Sequence, residues 1–281
     1  MASGIYMTDR STIQIPGGGR ALAADLFRPA AASSLRTAVI LLHGGAWRFG
    51  SRADTVPYAS ALARLGFTAL AAEYRLLGEA AYPAQLDDVR SVIAWAQAHA
   101  AELGIDPGKI ALEGFSAGGH LALLAAATPH EPGANPVAAV VSFFAPAHFD
   151  GPSPPGMPPR AAMLLGPDAT EAEMRAASPL HQVRAGFPPT FLLGGMADVL
   201  VPPAATLALF EALVGVAAPV DLHLFHGHTH EFAALPSMLE PVQAEVALFL
   251  KRSVVDPAGY ARENLRLNPF ARPDWRPPPA P

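Results

Sequence analysis

A serine flanked by glycines, Gly114-Phe115-Ser116-Ala117-Gly118, sits where one kind of sequence gives way to another. Ahead of it, Lys109-Ile110-Ala111-Leu112-Glu113 alternates like a short buried strand. Behind it, small and then aliphatic residues run on as a helix through Ala127. A strand that turns straight into a helix holds its turn residue in a strained backbone conformation, with the side chain standing above the sheet edge. The helix start behind it presents free N–H groups and positive dipole where an oxyanion would form. Ser116 is therefore the expected nucleophile.

A serine hydroxyl attacks carbonyls only when a neutral imidazole takes its proton and a carboxylate holds that imidazole in the right tautomer. Asp198 follows the apolar run Phe191-Leu192-Leu193-Gly194-Gly195, and a histidine-rich segment, His226-Gly227-His228-Thr229-His230, follows the strand-like Val220–Phe225. The order Ser116, Asp198, His230 places each at the C-terminal end of an expected strand. Among the histidines, His223 lies within the strand pattern and His226 begins the turn at Gly227. His230 lies far enough beyond Gly227 to reach across the sheet edge, with Phe232 as an anchor. The alternating His223, His226, His228 and His230 also raise a metal site, but no cysteine or carboxylate stands at ligand spacing, so neither metal nor cofactor is expected.

The oxyanion donors are expected from the N–H groups of Gly44, Gly45 and Ala117. Gly44 and Gly45 follow the continuously apolar Ala38–Leu42, the mark of a strand buried on both faces. His43 reads as a brace for that loop. Trp47, Phe115, His148, Phe149 and Val199 are the expected pocket residues; their bulk, with that of Phe49, favours short or aryl acyl groups.

The elements that must position these residues alternate. Residues 11–15 and 21–27 form an N-terminal β-hairpin around Pro16-Gly17-Gly18-Gly19. Helices follow at 58–65 and 83–100, strands at 67–72 and 137–144. Asp87 and Asp88 near the start of the second helix read as dipole or ion-pair partners. Such βαβα order implies an α/β domain with a mostly parallel central sheet covered by helices on both faces. Residues 1–252 form that single domain, with 145–189 as a loop insertion over the site; Thr170 and Glu173 open a short helix there as a capping box. Ser237 and Glu240 are expected to cap the last helix, ending near Lys251. The Pro-rich tail, 253–281, is expected to be extended or disordered, with Phe270 and Trp275 available to dock on the body or on another copy as a homo-oligomer.

The chain has 281 residues, 51% of them apolar, enough for a substantial core. Net charge is −5 with no basic run, against nucleic-acid or anionic-membrane partners. Cysteine is absent, which excludes disulfides and thiolate chemistry. Neither a signal-like N-terminus nor a membrane-spanning run is seen, so a cytoplasmic location is expected.

The chain resembles the α/β-hydrolase superfamily, in particular its small carboxylesterases of the feruloyl-esterase-like, hormone-sensitive-lipase-like and aryl-formamidase-like groups. The resemblance spans residues 13–250. It rests on Asp25-Leu26-Phe27-Arg28-Pro29, His43-Gly44-Gly45-Ala46-Trp47, Tyr74-Arg75-Leu76, Gly104-Ile105-Asp106-Pro107 and Ser116-Ala117-Gly118-Gly119-His120. It implies the α/β-hydrolase fold, a Ser116–His230–Asp198 triad, no cofactor and a small-molecule ester substrate. Two departures stand out: Ala46-Trp47 where hormone-sensitive-lipase-like enzymes have a third glycine, and a His-rich segment where relatives show a Gly-His-Gly-Phe-like ending. The expected function is a serine carboxylesterase working through an acyl-enzyme. The alternatives are an aryl-formamidase or related amidase, and a non-catalytic ligand-binding or receptor protein on the same scaffold.

Overall fold

A computed structural model describes residues 9–127, 137–150 and 159–271. Strands β1 (Asp9–Ile15) and β2 (Leu22–Arg28) form the expected antiparallel hairpin. Then follow β3 (Ala38–Leu42), α1 (Val56–Arg64), β4 (Thr68–Ala72), α2 (Ala84–Ala98), α3 (Ala100–Leu103), β5 (Ile110–Phe115), α4 (Ala117–Ala127) and β6 (Ala139–Phe143). After three short helices, α5 (Arg160–Leu164), α6 (Glu171–Ala176) and α7 (Pro179–Gln182), come β7 (Thr190–Gly195), α8 (Pro203–Gly215), β8 (Val220–Phe225), α9 (Pro236–Leu250) and α10 (Pro257–Leu267).

The eight strands make one sheet in the order β1-β2-β4-β3-β5-β6-β7-β8. β2 meets β4 antiparallel, and every pairing from β4 to β8 is parallel. Alternate residues of the buried strands point to opposite faces. Ile40, Leu42, Leu112, Val140 and Leu192 pack under α2, α4 and α8. Val39, Leu41, Ala111, Val141 and Leu193 pack under α1 and α9. Both faces are therefore apolar, which explains why β3 reads as a continuous apolar run. No described helix is long and apolar enough to cross a membrane.

The hydrophobic periodicity located the strands and α1, α2 and α4 to within a few residues. It did not pick out α8, whose sequence is apolar around most of its circumference, nor the short α3, α5 and α7. Two further expectations are corrected by the structure. Ser237 and Glu240 do not cap α9: the helix opens one residue earlier, on Pro236, with Leu235 as its N-cap and no side-chain cap. Proline at the first position lacks the N–H that a cap would satisfy, and its fixed φ starts the helix instead. Glu240 pairs with Arg64 of α1. The second correction concerns the tail. α9 runs through a π-helical turn, Lys251–Val255, into α10, whose start is capped by the Asp256 carboxylate on the Gly259 N–H (2.8 Å). Pro257 at N1 behind an aspartate is a helix-start signal outweighed, in a composition-based reading, by the prolines further on. Phe270 is 68% exposed; Trp275 lies outside the described residues. So do Pro152-Ser153-Pro154-Pro155-Gly156-Met157-Pro158 of the insertion. The Thr170–Glu173 capping box is present. Asp88 is fully buried and grips Arg75 through both carboxylate oxygens (2.8 Å each), while Asp87 pairs with Arg90.

Glu113, three residues before Ser116 on β5, is fully buried and accepts 2.7 Å from Gln243 of α9. Its other oxygen and the Gln243 side-chain oxygen have no partner. Burial pushes the Glu113 carboxyl up to about 8, against a smaller opposing pull from the Gln243 hydrogen bond. A neutral Glu113 is a donor as well as an acceptor, and burial favours that form over the carboxylate. Folding thus takes up a proton that the unfolded chain, titrating near 4.5, has already released. Stability from this group is complete in acid and declines as pH rises to about 8. Glu113→Gln, which keeps the shape without the charge, should raise the melting temperature, and by more at alkaline than at mildly acidic pH. Thermal unfolding across that range checks it; an advantage independent of pH would contradict it.

Candidate active site

Ser116 occupies the turn between β5 and α4 with φ +50°, a left-handed conformation that costs a non-glycine residue of order 1–3 kcal/mol. The turn is held open by its surroundings: the Ser116 N–H donates to Phe143 O (2.9 Å), and Ser116 O accepts from the His120 N–H (3.0 Å). Gly118 is required by close approach. A Cβ there would lie 2.2 Å from Leu42 O, so the helix could not pack against the end of β3.

Asp198 lies just past β7 and is buried. One carboxylate oxygen accepts the N–H groups of Leu200 (2.8 Å) and Val201 (2.9 Å), and the other accepts 2.7 Å from His230 Nδ1. His230 Nε2 stands 3.0 Å from Ser116 Oγ. With its Nδ1 proton donated to Asp198, the imidazole presents a bare Nε2 to the serine hydroxyl. The structure thus brings Ser116, His230 and Asp198 into one hydrogen-bonded line, and their supports come from three separate strands.

The ring packed on His230 is Phe144, at the end of β6 (centroids 4.6 Å), with Phe232 standing edge-on behind it (5.6 Å). Phe232 was the anchor expected; Phe144 was not anticipated. Its position at the C-terminal end of the strand beside β5 is the signal that could have found it. The other histidines take separate partners. His223 pairs with Glu245 (2.7 Å) and stacks on Phe225, while His228 Nδ1 donates to His226 O (2.9 Å).

Gly44 and Gly45 lie in the loop after β3, opposite the start of α4. Gly45 has φ +109°, and a Cβ on it would sit 2.3 Å from Phe49 O. The loop continues through two further positive φ values, at Ala46 and Trp47. Among the described residues the N–H groups of Gly44, Gly45, Ala46 and Ala117 have no hydrogen-bond acceptor. The Ala46 N–H joins the expected donors as a residue the sequence reading missed. His43 braces the loop: its Nδ1 donates to Gly44 O (2.7 Å), its ring stacks on Tyr74 (4.3 Å), and Tyr74 donates to His43 O (2.8 Å). Burial lowers the His43 pKa, which keeps the ring neutral. Trp47, 2% exposed, donates from Nε1 to His120 Nδ1 (3.2 Å), and His120 Nε2 donates to Ala177 O (2.8 Å). Burial drives His120 down to about 4, so this chain from loop to α4 to the insertion holds at ordinary pH.

Two cavities meet at Ser116. The larger, about 440 Å³, is walled by Gly44, Tyr58, Phe115 and Phe144, with Asp54 and Glu231 at its edge. The smaller, about 230 Å³, is walled by Trp47, Phe49, Met163, Val201, Arg160 and His230. Phe115 and Trp47 therefore stand where the pocket was expected. Phe149 does not reach either cavity: it is buried behind Trp47 and His120, with ring centroids at 5.7 and 5.0 Å. His148 lines neither, and Val199 is 72% exposed with its neighbours Leu200 and Val201 on the wall instead. The Leu200 and Val201 N–H groups grip Asp198, and that tight turn sends Val199 outward. The insertion contributes Arg160 and Met163 from α5.

Residues 24–213 match the BD-FAE family model. The chain belongs to the BD-FAE family. Among curated proteins, LipM of Mycobacterium tuberculosis, named a probable carboxylic ester hydrolase, is 37% identical over 202 residues, 66% of this chain and 47% of that protein. Esterase LipQ of the same organism is 31% identical over 224 residues, 74% and 53%. The BD-FAE chain thus spans about half the length of these curated relatives. Among solved structures, Thermogutta terrifontis esterase 2, phosphoramylated by tabun, superposes with a TM-score of 0.74 at 28% identity, covering 89% of this chain and 97% of that one. The BD-FAE chain accordingly has the α/β-hydrolase fold.

Proposed function

We propose that this chain is a serine carboxylesterase that hydrolyses small or aryl carboxylic esters through an acyl-enzyme. The line from Ser116 Oγ to His230 Nε2 (3.0 Å) and from His230 Nδ1 to Asp198 (2.7 Å) carries this reading, and the esterase names of its relatives support it. Ser116 attacks the ester carbonyl while His230 takes its proton. The N–H groups of Gly44, Gly45 and Ala117, with that of Ala46, receive the negative charge that develops on the carbonyl oxygen. His230 then passes the proton to the departing alcohol. Water, deprotonated by the same imidazole, releases the acid and restores the serine. Asp198 keeps its charge throughout and stabilises the imidazolium.

The two cavities are compact and their walls are fixed: Trp47 is locked by His120, and Tyr58 packs tilted against Phe115 (4.4 Å). The Thermogutta esterase has been solved with propionate and with butyrate bound, which supports a short acyl group here. On p-nitrophenyl esters of graded length, kcat/KM for acetate or butyrate should exceed that for palmitate by at least about tenfold. An aryl formamide run beside them separates esterase from amidase. Absence of turnover on every ester would end the reading; a preference for palmitate would end only its short-chain part.

A further inference from the structure

The two lobes of the site differ in charge. The smaller holds the cation Arg160, which donates to Leu200 O. The larger has no lysine or arginine on its wall, the carboxylates of Asp54 and of Glu231, the latter shared with the smaller lobe, and the rings of Tyr58, Phe115 and Phe144. His43 adds no charge there, because burial lowers its pKa and its Nδ1 is committed to Gly44 O.

One buried polar group in this lobe is unmet. Tyr58 is 5% exposed and lines the cavity, yet its hydroxyl has no hydrogen-bond partner. The Tyr58 hydroxyl is not sealed from the cavity it lines, so it is free to bond to a group that enters there. Burial, then the charges of Glu113 and Glu231, hold its pKa far above the ordinary value, so the oxygen is a neutral acceptor. The Ser51 N–H occupies one Asp54 oxygen (2.8 Å), and its other oxygen remains open to a ligand. Aromatic faces, a phenol acceptor and two carboxylates, with no competing cation, are together the chemistry that recognises a protonated amine.

We propose that the larger lobe binds an ammonium group. Resting on the esterase reading, this means that the favoured esters carry a protonated amine in the part lying among Tyr58, Asp54 and Glu231. Ser116 shares the wall of this lobe, so the amine sits close along the substrate from the scissile carbonyl. An anionic group there meets two like charges and is disfavoured.

The test uses three molecules of nearly one shape: benzylammonium, benzyl alcohol and benzoate. Calorimetry on the wild-type protein at neutral pH should show benzylammonium binding at least about tenfold more tightly than benzyl alcohol, with benzoate weakest. Benzylammonium should also slow fluorophosphonate labelling of Ser116, which places it beside that residue. In Asp54→Asn/Glu231→Gln the preference should drop below about threefold, while benzyl alcohol keeps its affinity. Tyr58→Phe should weaken benzylammonium several-fold and the alcohol little, and it decides the matter if the double variant does not fold. Equal affinity for amine and alcohol in the wild type, or a preference that survives both substitutions, would overturn the proposal. Calorimetry needs no turnover, so the two readings fail separately. Ester hydrolysis without amine preference removes only this site, and amine preference without any ester hydrolysis removes only the esterase.

Discussion

Ser116→Ala should lower kcat on p-nitrophenyl acetate by at least about 10³-fold, and a fluorophosphonate that adds one group to the wild type should add none to the variant. The size follows from what the substitution removes. Ser116 Oγ is the atom that forms the acyl bond in the proposed mechanism, and neither the His230 imidazole nor the loop N–H groups replace it. Residual rate would come from water held in the same field of donors, which accounts for a remainder above background. The variant should fold. Alanine keeps the Cβ that already occupies the left-handed turn, and the backbone bonds to Phe143 O and from the His120 N–H involve no side chain of residue 116. Intact protein mass after labelling and a melting curve suffice to check both parts. Equal labelling of the alanine variant would remove Ser116 from the mechanism.

The second large effect falls on one histidine among several. His230→Ala should cost about 10³-fold or more in kcat, whereas His226→Ala and His228→Ala should each cost under about tenfold. His226 is exposed, and His228 contributes through its backbone: its carbonyl accepts the Ala197 N–H (2.9 Å), which steadies the chain just before Asp198. Alanine retains that carbonyl. His230 alone joins serine to aspartate, and no neighbouring ring stands ready to take its place. Steady-state kinetics on the three variants separates the positions. A dead His228→Ala beside an active His230→Ala would show that the loop works in another register.

The residues of the candidate site divide by how locally they are specified. Ser116, Asp198 and His230 are each announced by their immediate neighbours: glycines crowding a strand-helix turn, a strand ending in Gly194-Gly195, a strand ending in a glycine turn. Parallel-strand order needs only the apolar runs between them. Tyr58, Phe144, Met163 and Val201 are legible only after the sheet has been assembled, because they reach the cavities from α1, β6, α5 and the loop after β7. Phe149 shows the converse error. Its place in the chain suggested the pocket, but Trp47 and His120 hold it one layer back. Helix boundaries failed where two signals competed, as at Pro236 against Ser237, and where a helix buries no residue of its own, as in α10.

β8 closes the sheet, and among the described residues β7 is its sole strand neighbour. All six of its residues are only half-buried, whereas β5, with strands on both sides, is buried throughout. Edge segments with fewer enclosing contacts open at lower free energy than the centre of a sheet. The proposed nucleophile is therefore mounted on one of the most protected parts of the molecule and the proposed base on one of the least protected. On warming, β8 should exchange its amide hydrogens before β5 does, and the His230 loop should part from Ser116 while the core remains folded. Heat would then silence the protein below its melting temperature, and cooling would restore it.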